Sequence, residues 1–316
     1  MLSRRLIRIK VLQVLYAYSK KSYSTIKQAE KELKTSLERA YSLFFMIILL
    51  LREVSDYAEE RIRLGKEKKM PTWEDLHPNT RFIENRLIRD LSGHKGIEQH
   101  IRNHALSWQD SRAMVKNIYQ KLVSSEAYHS FMESETSNYK NDVEIIKYLL
   151  SEILPESEDL LASLEEQSIY WNDELEFILS ILIRFFEQFP GKHGAEVPLP
   201  SLFKNKDDED FAYKLLHKSI LHSEEYKIII KDHADNWDVD RIARMDILIL
   251  QQAITEILHF PEIPVRVSIN EYIEIARYYS TPKSSVFING LLDKIVSDLR
   301  KADKIYKEGR GLIGEV

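Results

Sequence analysis

Cysteine is absent from all 316 positions. This excludes disulfides, thiolate metal sites and a cysteine nucleophile, and it agrees with a reducing, cytoplasmic setting. Glycine and proline are scarce, at nine residues each. With so few helix breakers and an abundance of Leu, Ile, Glu and Lys, an all-α fold is predicted. Long hydrophobic runs are also lacking. The longest, Leu43 to Leu51, has nine residues, well short of the roughly 20 needed to cross a bilayer. It lies too deep in the chain for a signal peptide, so it predicts a buried helix and no membrane segment.

Catalytic signatures are missing as well. There is no GxSxG and no dinucleotide fingerprint, and Gly191-Lys192-His193-Gly194 lacks the spacing of a phosphate loop. The 50 acidic residues are so many that carboxylate pairs arise by chance, and none is singled out as acid and base. His100 and His104 stand one helical turn apart, with His94 nearby, yet no third ligand is placed by spacing; a packed or solvated helix face is the reading. No enzyme activity, metal or cofactor is expected.

The charge that is present is unevenly spread. The formal net charge is −5, but no acidic residue precedes Glu30, whereas Arg4, Arg5, Arg8, Lys10, Lys20, Lys21 and Lys27 are basic. A basic end on an acidic chain suits attraction to phosphate; a solubilising terminus has the same composition.

Periodicity places the helices. Ile7, Val11, Val14, Leu15 and Tyr18 form one face of a helix over 3–19, which should dock by that stripe and keep its cations in solvent. Thr25 with Gln28 marks the next start, and the pattern runs to about Arg63 before the basic, proline-bearing stretch Gly65–Pro71 breaks it. Further helical patterns follow after Asn79, from Ser107 to Val123, from Val143 to Leu154, and after Asn172. Trp73, Trp108 and Trp171 fall in this middle region and are expected to pack a core. The Pro- and Gly-bearing segment Pro190–Asp210 reads as a linker. Beyond it, Ile242, Met245, Ile249, Ala253 and Ile257 make one stripe that ends before Pro261. Ser268 with Glu271 has capping-box spacing, and Thr281-Pro282 reads as a cap followed by proline at the first helical position.

Three motifs here, DRIARMDILIL from Asp240, the Pro-Val-x-Val-x-Ile-Asn-Glu segment Pro264–Glu271 and the Phe-x-Asn-Gly-x-Leu-Asp-Lys segment Phe287–Lys294, resemble the C-terminal half of the NusB family of bacterial transcription antitermination factors. The segment RRLIRIKVLQVLYAY from Arg4 is similar to the arginine-rich first helix of that family. The resemblance implies a NusB-like helical bundle built from residues 1–64 and 206–316, with residues 65–205 as a helical insertion dispensable for the bundle core.

It also implies an RNA-binding antitermination factor for ribosomal RNA operons. Such a factor binds a single-stranded boxA-like element together with NusE, a ribosomal small-subunit protein, within the RNA polymerase antitermination complex. Carried over residue by residue, Arg4, Arg5, Arg8, Lys10, Tyr16, Tyr213 and Phe287 become RNA contacts, and Asp246 and Lys283 partner contacts. Lys283 departs from the acidic residue common there in the family. Asp246 is expected near the surface, since Met245 and Ile249 claim the buried face. Two other classes share these motifs: a protein-interaction scaffold with a vestigial RNA site, and the RNA-binding module fused to ribosomal RNA methyltransferases. For the latter this chain has neither room nor the cysteine nucleophile.

Overall fold

The computed structural model describes residues 2–20, 25–171, 173–188, 197–234 and 242–313. Among these the regular elements are helical, and no strand occurs. In chain order they are α1 (Arg4–Lys20), α2 (Ile26–Lys66), α3 (Trp73–Leu76), α4 (Arg86–Ser92), α5 (Lys95–Asn103), α6 (Arg112–Val123), α7 (Glu126–Glu133) and α8 (Tyr139–Tyr148). A π turn, Leu149–Ile153, follows, then α9 (Glu158–Gln167), α10 (Leu175–Glu187), α11 (Lys206–Leu221), α12 (Ser223–His233), α13 (Arg244–His259), α14 (Val265–Tyr279) and α15 (Ser284–Lys301). None of the described helices is long and apolar enough to cross a membrane.

The chain forms two compact units. One is Glu38–Ser201; the other joins Leu2–Leu37 to Leu202–Val316. The passage between them falls inside α2, at Leu37 and Glu38, and not at the Gly65 break that the sequence suggests. Thr25 and Gln28 do form the capping box at the start of α2, each side chain taking the other's backbone N–H at 3.3 and 2.9 Å.

In the first unit, Leu43 to Leu51 are all buried and form the spine of the core. Trp108 and Trp171 anchor it by donating their indole N–H groups to the carbonyls of Met46 (2.8 Å) and Arg39 (2.7 Å). An indole packs its ring in the core only when that N–H finds an acceptor, and α2 supplies both. Trp73 does not join them; it is 72% exposed. The cap expected at Asn172 lies outside the described residues, as does the part of the Pro- and Gly-bearing linker from Pro190 to Glu196, Gly191–Gly194 included.

The second unit is built around α13. From Leu248 to Ile257 every residue is buried, so over this stretch the helix has no solvent face. Several of its polar groups are bonded internally, although the Gln252 side-chain carbonyl is buried without a partner among the described residues. Gln251 donates to the Ser223 carbonyl (3.0 Å), Gln252 to the Arg8 carbonyl (2.9 Å), and Thr255 receives the Ser219 hydroxyl (3.0 Å). Helices α1, α11, α12, α14 and α15 all pack on α13.

These boundaries give a direct test of what the middle region does. Replacing residues 71–205 with a flexible linker would strip Leu43–Leu51 of Trp108, Trp171 and Phe185. We expect an aggregated or molten product by size exclusion and near-ultraviolet dichroism. Replacing 38–201 should instead leave a helical protein with a cooperative melt. A well-folded 71–205 deletion would show that the Leu43–Leu51 run needs none of those partners.

Candidate nucleic-acid interface

Helix α1 has two faces of different character. Leu6, Ile7, Val11, Val14 and Leu15 are buried against α11 and α13. The opposite strip reads Arg5, Ile9, Gln13, Tyr16 and Lys20, spaced by three or four residues, and every member is exposed or partly exposed. At a rise of 1.5 Å per residue the strip runs about 22 Å along the helix. The Lys20 ammonium lies 5.5 Å from the Tyr16 ring centroid, and Tyr16 is 37% exposed. Ring and cation are therefore presented together, a pairing that the motif does not indicate because it credits Tyr16 and stops before Lys20.

The arginines divide between the two faces. Arg8 points inward and is buried: its Nε and Nη2 donate to the two carboxylate oxygens of Glu256, both at 2.7 Å. Glu256 also accepts the Ser268 hydroxyl (2.8 Å) and the Tyr272 hydroxyl (3.0 Å), so four donors meet one carboxylate. Burial disfavours the Arg8 charge, but the Glu256 carboxylate and its hydrogen bonds outweigh that, and the guanidinium pKa rises. Lys10 is also fully buried. The expectation that the α1 cations stay in solvent thus fails at Arg8 and Lys10. Their azimuths fall inside the docking stripe, and in Arg8 the buried charge is matched by an equally buried carboxylate.

Arg4 and Arg5 stand at the edge. Arg5 makes a two-point contact with Glu271 on α14, Nε and Nη2 each 2.8 Å from an oxygen. That hydrogen bonding, together with the nearby Arg8 charge, outweighs partial burial and holds the Glu271 carboxyl below its usual range. Arg4 pairs with Asp208 on α11 at 2.8 Å and lies 5.0 Å over the Phe211 ring. Ser268 and Glu271 are consequently not a capping box. Helix α14 begins three residues before Ser268, at Val265 after Pro264, and both side chains serve contacts to other helices.

Asp246 corrects a second expectation. It is 5% exposed, and its oxygens accept the Ser280 hydroxyl and, at 2.8 Å, the Ser284 hydroxyl. It ties the first turn of α13 to the start of α15. Met245, not Asp246, is the partly exposed residue, because the near-complete burial of α13 removes the surface azimuth assumed for Asp246. Arg241 lies outside the described residues. Lys283 is exposed, at the N-cap of α15, which starts two residues after Pro282. Phe287 and Tyr213 are half-buried, on α15 and α11.

Two histidines stack where α11 leads into α12. His222 lies against His259 with centroids 4.9 Å apart, and His259 Nε2 sits 2.9 Å from the Tyr226 hydroxyl. Burial, with Lys218, His222 and Lys214 nearby and only Glu225 opposing, pushes His259 down to about 4. His94, His100 and His104 do not converge on a metal. His94 caps α5, and His100 stacks between Phe45 and His104 at 3.8 and 3.9 Å. Among the described residues no group of three metal-ligating side chains is found.

The second unit is therefore an all-α bundle that shows arginine, tyrosine and lysine along one helix face. Sequence comparison gives its family: the NusB family model matches residues 199–297, from the unit boundary through α13 and α14 into α15. The chain is 46% identical over 125 residues to the transcription antitermination protein NusB of Salinibacter ruber, covering 38% of this chain and 78% of that protein. It is 41% identical over 105 residues to the NusB of Chloroherpeton thalassium (33% of this chain, 50% of that protein). It is 49% identical over 73 residues to that of Natranaerobius thermophilus (23% and 52%). The chain belongs to the NusB family. No solved structure matches it.

Arg8→Ala, which leaves Glu256 buried and unpaired, should lower stability by about 3–5 kcal/mol. Arg5→Ala should cost less than about 1 kcal/mol, since that pair faces water. Urea unfolding of both variants checks the contrast, and equal losses would show that burial does not separate the two pairs. For His259 the sign follows from its lowered folded pKa: the unfolded chain takes up the proton first. Its contribution is complete above about pH 6.5 and is lost as pH falls toward 4. Wild type should therefore weaken more steeply over that window than His259→Gln, measured by melting temperature against pH; parallel curves would contradict the assignment.

Proposed function

We propose that this protein is a transcription antitermination factor that binds single-stranded, boxA-like RNA together with NusE, in the RNA polymerase antitermination complex of ribosomal RNA operons. It acts by binding in the cytoplasm and needs no cofactor. Family membership supports the antitermination role, since the relatives it resembles carry that name.

The observation that carries the RNA reading is the outward strip of α1. An arginine fork pairs with phosphate, an exposed tyrosine stacks on an unpaired base, and Lys20 beside that ring adds charge where the base would lie. Arg5 keeps N–H groups beyond the two that Glu271 occupies. Arg8 and Lys10 support the helix from within, and Asp246 supports the turn that presents Lys283. Lys283 remains the candidate contact for NusE, with Phe287 and Tyr213 as half-buried rings on neighbouring helices.

The test is fluorescence anisotropy with a boxA-like RNA across a salt series. Arg5→Ala with Lys20→Ala should reduce the slope of log K against log salt by about 1.4, at roughly 0.7 per phosphate contact on a single strand. Tyr16→Ala should weaken binding about 5- to 150-fold, the range for loss of one base stack. Unchanged affinity and slope in folded variants would favour the scaffold reading, with a vestigial RNA site.

A further inference from the structure

We propose that the reversal at the end of α2 is a second contact for single-stranded RNA. There Trp73 stacks on an unpaired base and Lys66 and Lys69 take flanking phosphates. This site lies entirely within the first unit and requires nothing of α1.

Trp73 is 72% exposed, while Trp108 and Trp171 are buried at 2% and 3%. A tryptophan left in water at a frayed turn would carry no message, but this turn is tightly built. Thr72 and Asp75 form a capping box. The Asp75 carboxylate also receives the Lys68 ammonium at 2.7 and 2.9 Å. It approaches Gly65 so closely that a Cβ there would lie 2.9 Å from its oxygen, so only glycine fits without a shift.

The indole itself is fixed from behind. His77 stacks on it with centroids 4.7 Å apart and planes 22° from parallel, and the His77 backbone N–H bonds to the Trp73 carbonyl at 2.9 Å. One ring face is thus held by the protein, leaving the other for a ligand.

The surrounding charge selects the ligand. From Arg61 to His77 there are five Lys and Arg residues against three acids. On the preceding turns Asp56, Glu59 and Glu60, the last paired with Arg112, line one recess with Arg63 and Lys66, so the cationic side of the turn is the one that Lys69 and Trp73 share. Two of the acids are engaged, Glu67 with Arg63 and Asp75 with Lys68, which leaves Glu74 against the exposed Arg61, Lys66 and Lys69. The core of a protein interface is depleted in lysine. A preorganised ring flanked by lysines is the arrangement that tracks a single strand, with base stacking from the ring and phosphate attraction from the cations.

The experiment uses the full chain and a fluorescein-labelled mixed-sequence RNA 12-mer, read by anisotropy across a salt series. Trp73→Ala should weaken binding about 5- to 150-fold and Trp73→Phe by less, because a phenyl ring still stacks. Lys66→Ala with Lys69→Ala should flatten the salt slope by about 1.4. Circular dichroism checks that the exposed substitutions leave the fold intact. Wild-type binding by Trp73→Ala and by the double lysine variant would overturn the proposal. If Arg5→Ala weakens binding in that case, the α1 reading survives alone; if Trp73→Ala weakens it and Arg5→Ala does not, the reverse holds. Loss of a bound protein in Trp73→Ala with unchanged RNA affinity would assign the turn to protein docking and also overturn the proposal.

Discussion

The buried pair between Arg8 and Glu256 is the constraint on which the second unit depends. Taking both charges out of water costs several kcal/mol per ion, so the arrangement is viable only when geometry and hydrogen bonding are close to complete. Here they are: two parallel guanidinium bonds, the Ser268 and Tyr272 hydroxyls on the same carboxylate, and a Gln252 amide on the Arg8 carbonyl. These contacts join α1, α13 and α14 at one point. Apolar packing alone would tolerate some rotation of α1, whereas a fork that must meet one carboxylate does not. Because Arg8 is fixed inward, Arg5, Tyr16 and Lys20 are fixed outward, and the structural role of one arginine sets the candidate binding face of its neighbours.

Much of the second unit was legible in the sequence because its signals are local. The α1 stripe, the Thr25–Gln28 cap and the proline-bounded end of α13 depend on residues a turn or two apart, and each appears where expected. The misread positions are those where a local rule competes with a partner far along the chain. Ser268 and Glu271 have the spacing of a cap, yet their partners, Glu256, Arg5 and Arg8, belong to other helices. Periodicity puts Asp246 on the solvent side of an amphipathic helix, but α13 is buried on every side from Leu248 to Ile257, and burial of that kind is not visible in a single helix's periodicity. Arg8 could have been found from its phase, since it lies between Ile7 and Val11 on the stripe; its being charged argued the other way.

The limits of the middle region were less legible for a related reason. The Gly65–Pro71 break is real, but it is a turn within one compact unit. The passage between units lies within α2, where the helix continues without glycine or proline and leaves no punctuation. Leu43–Leu51 is a buried helix, as its composition predicts, but its partners come from the 135 positions that follow Leu51 up to Phe186. Exposure of Trp73 was equally hidden, because composition favours burying a tryptophan and only the folded turn shows it held in water.

The most direct measurement of the central claim is a double-mutant cycle between Arg8→Met and Glu256→Gln, read by urea unfolding. If the pair fixes α1, each single change leaves its partner uncompensated and the double change is much less harmful than the sum. We predict a coupling of at least about 2 kcal/mol, toward the upper part of the range for contacting residues. Additive losses, with a coupling near zero, would mean that apolar packing alone orients α1 and would contradict the account.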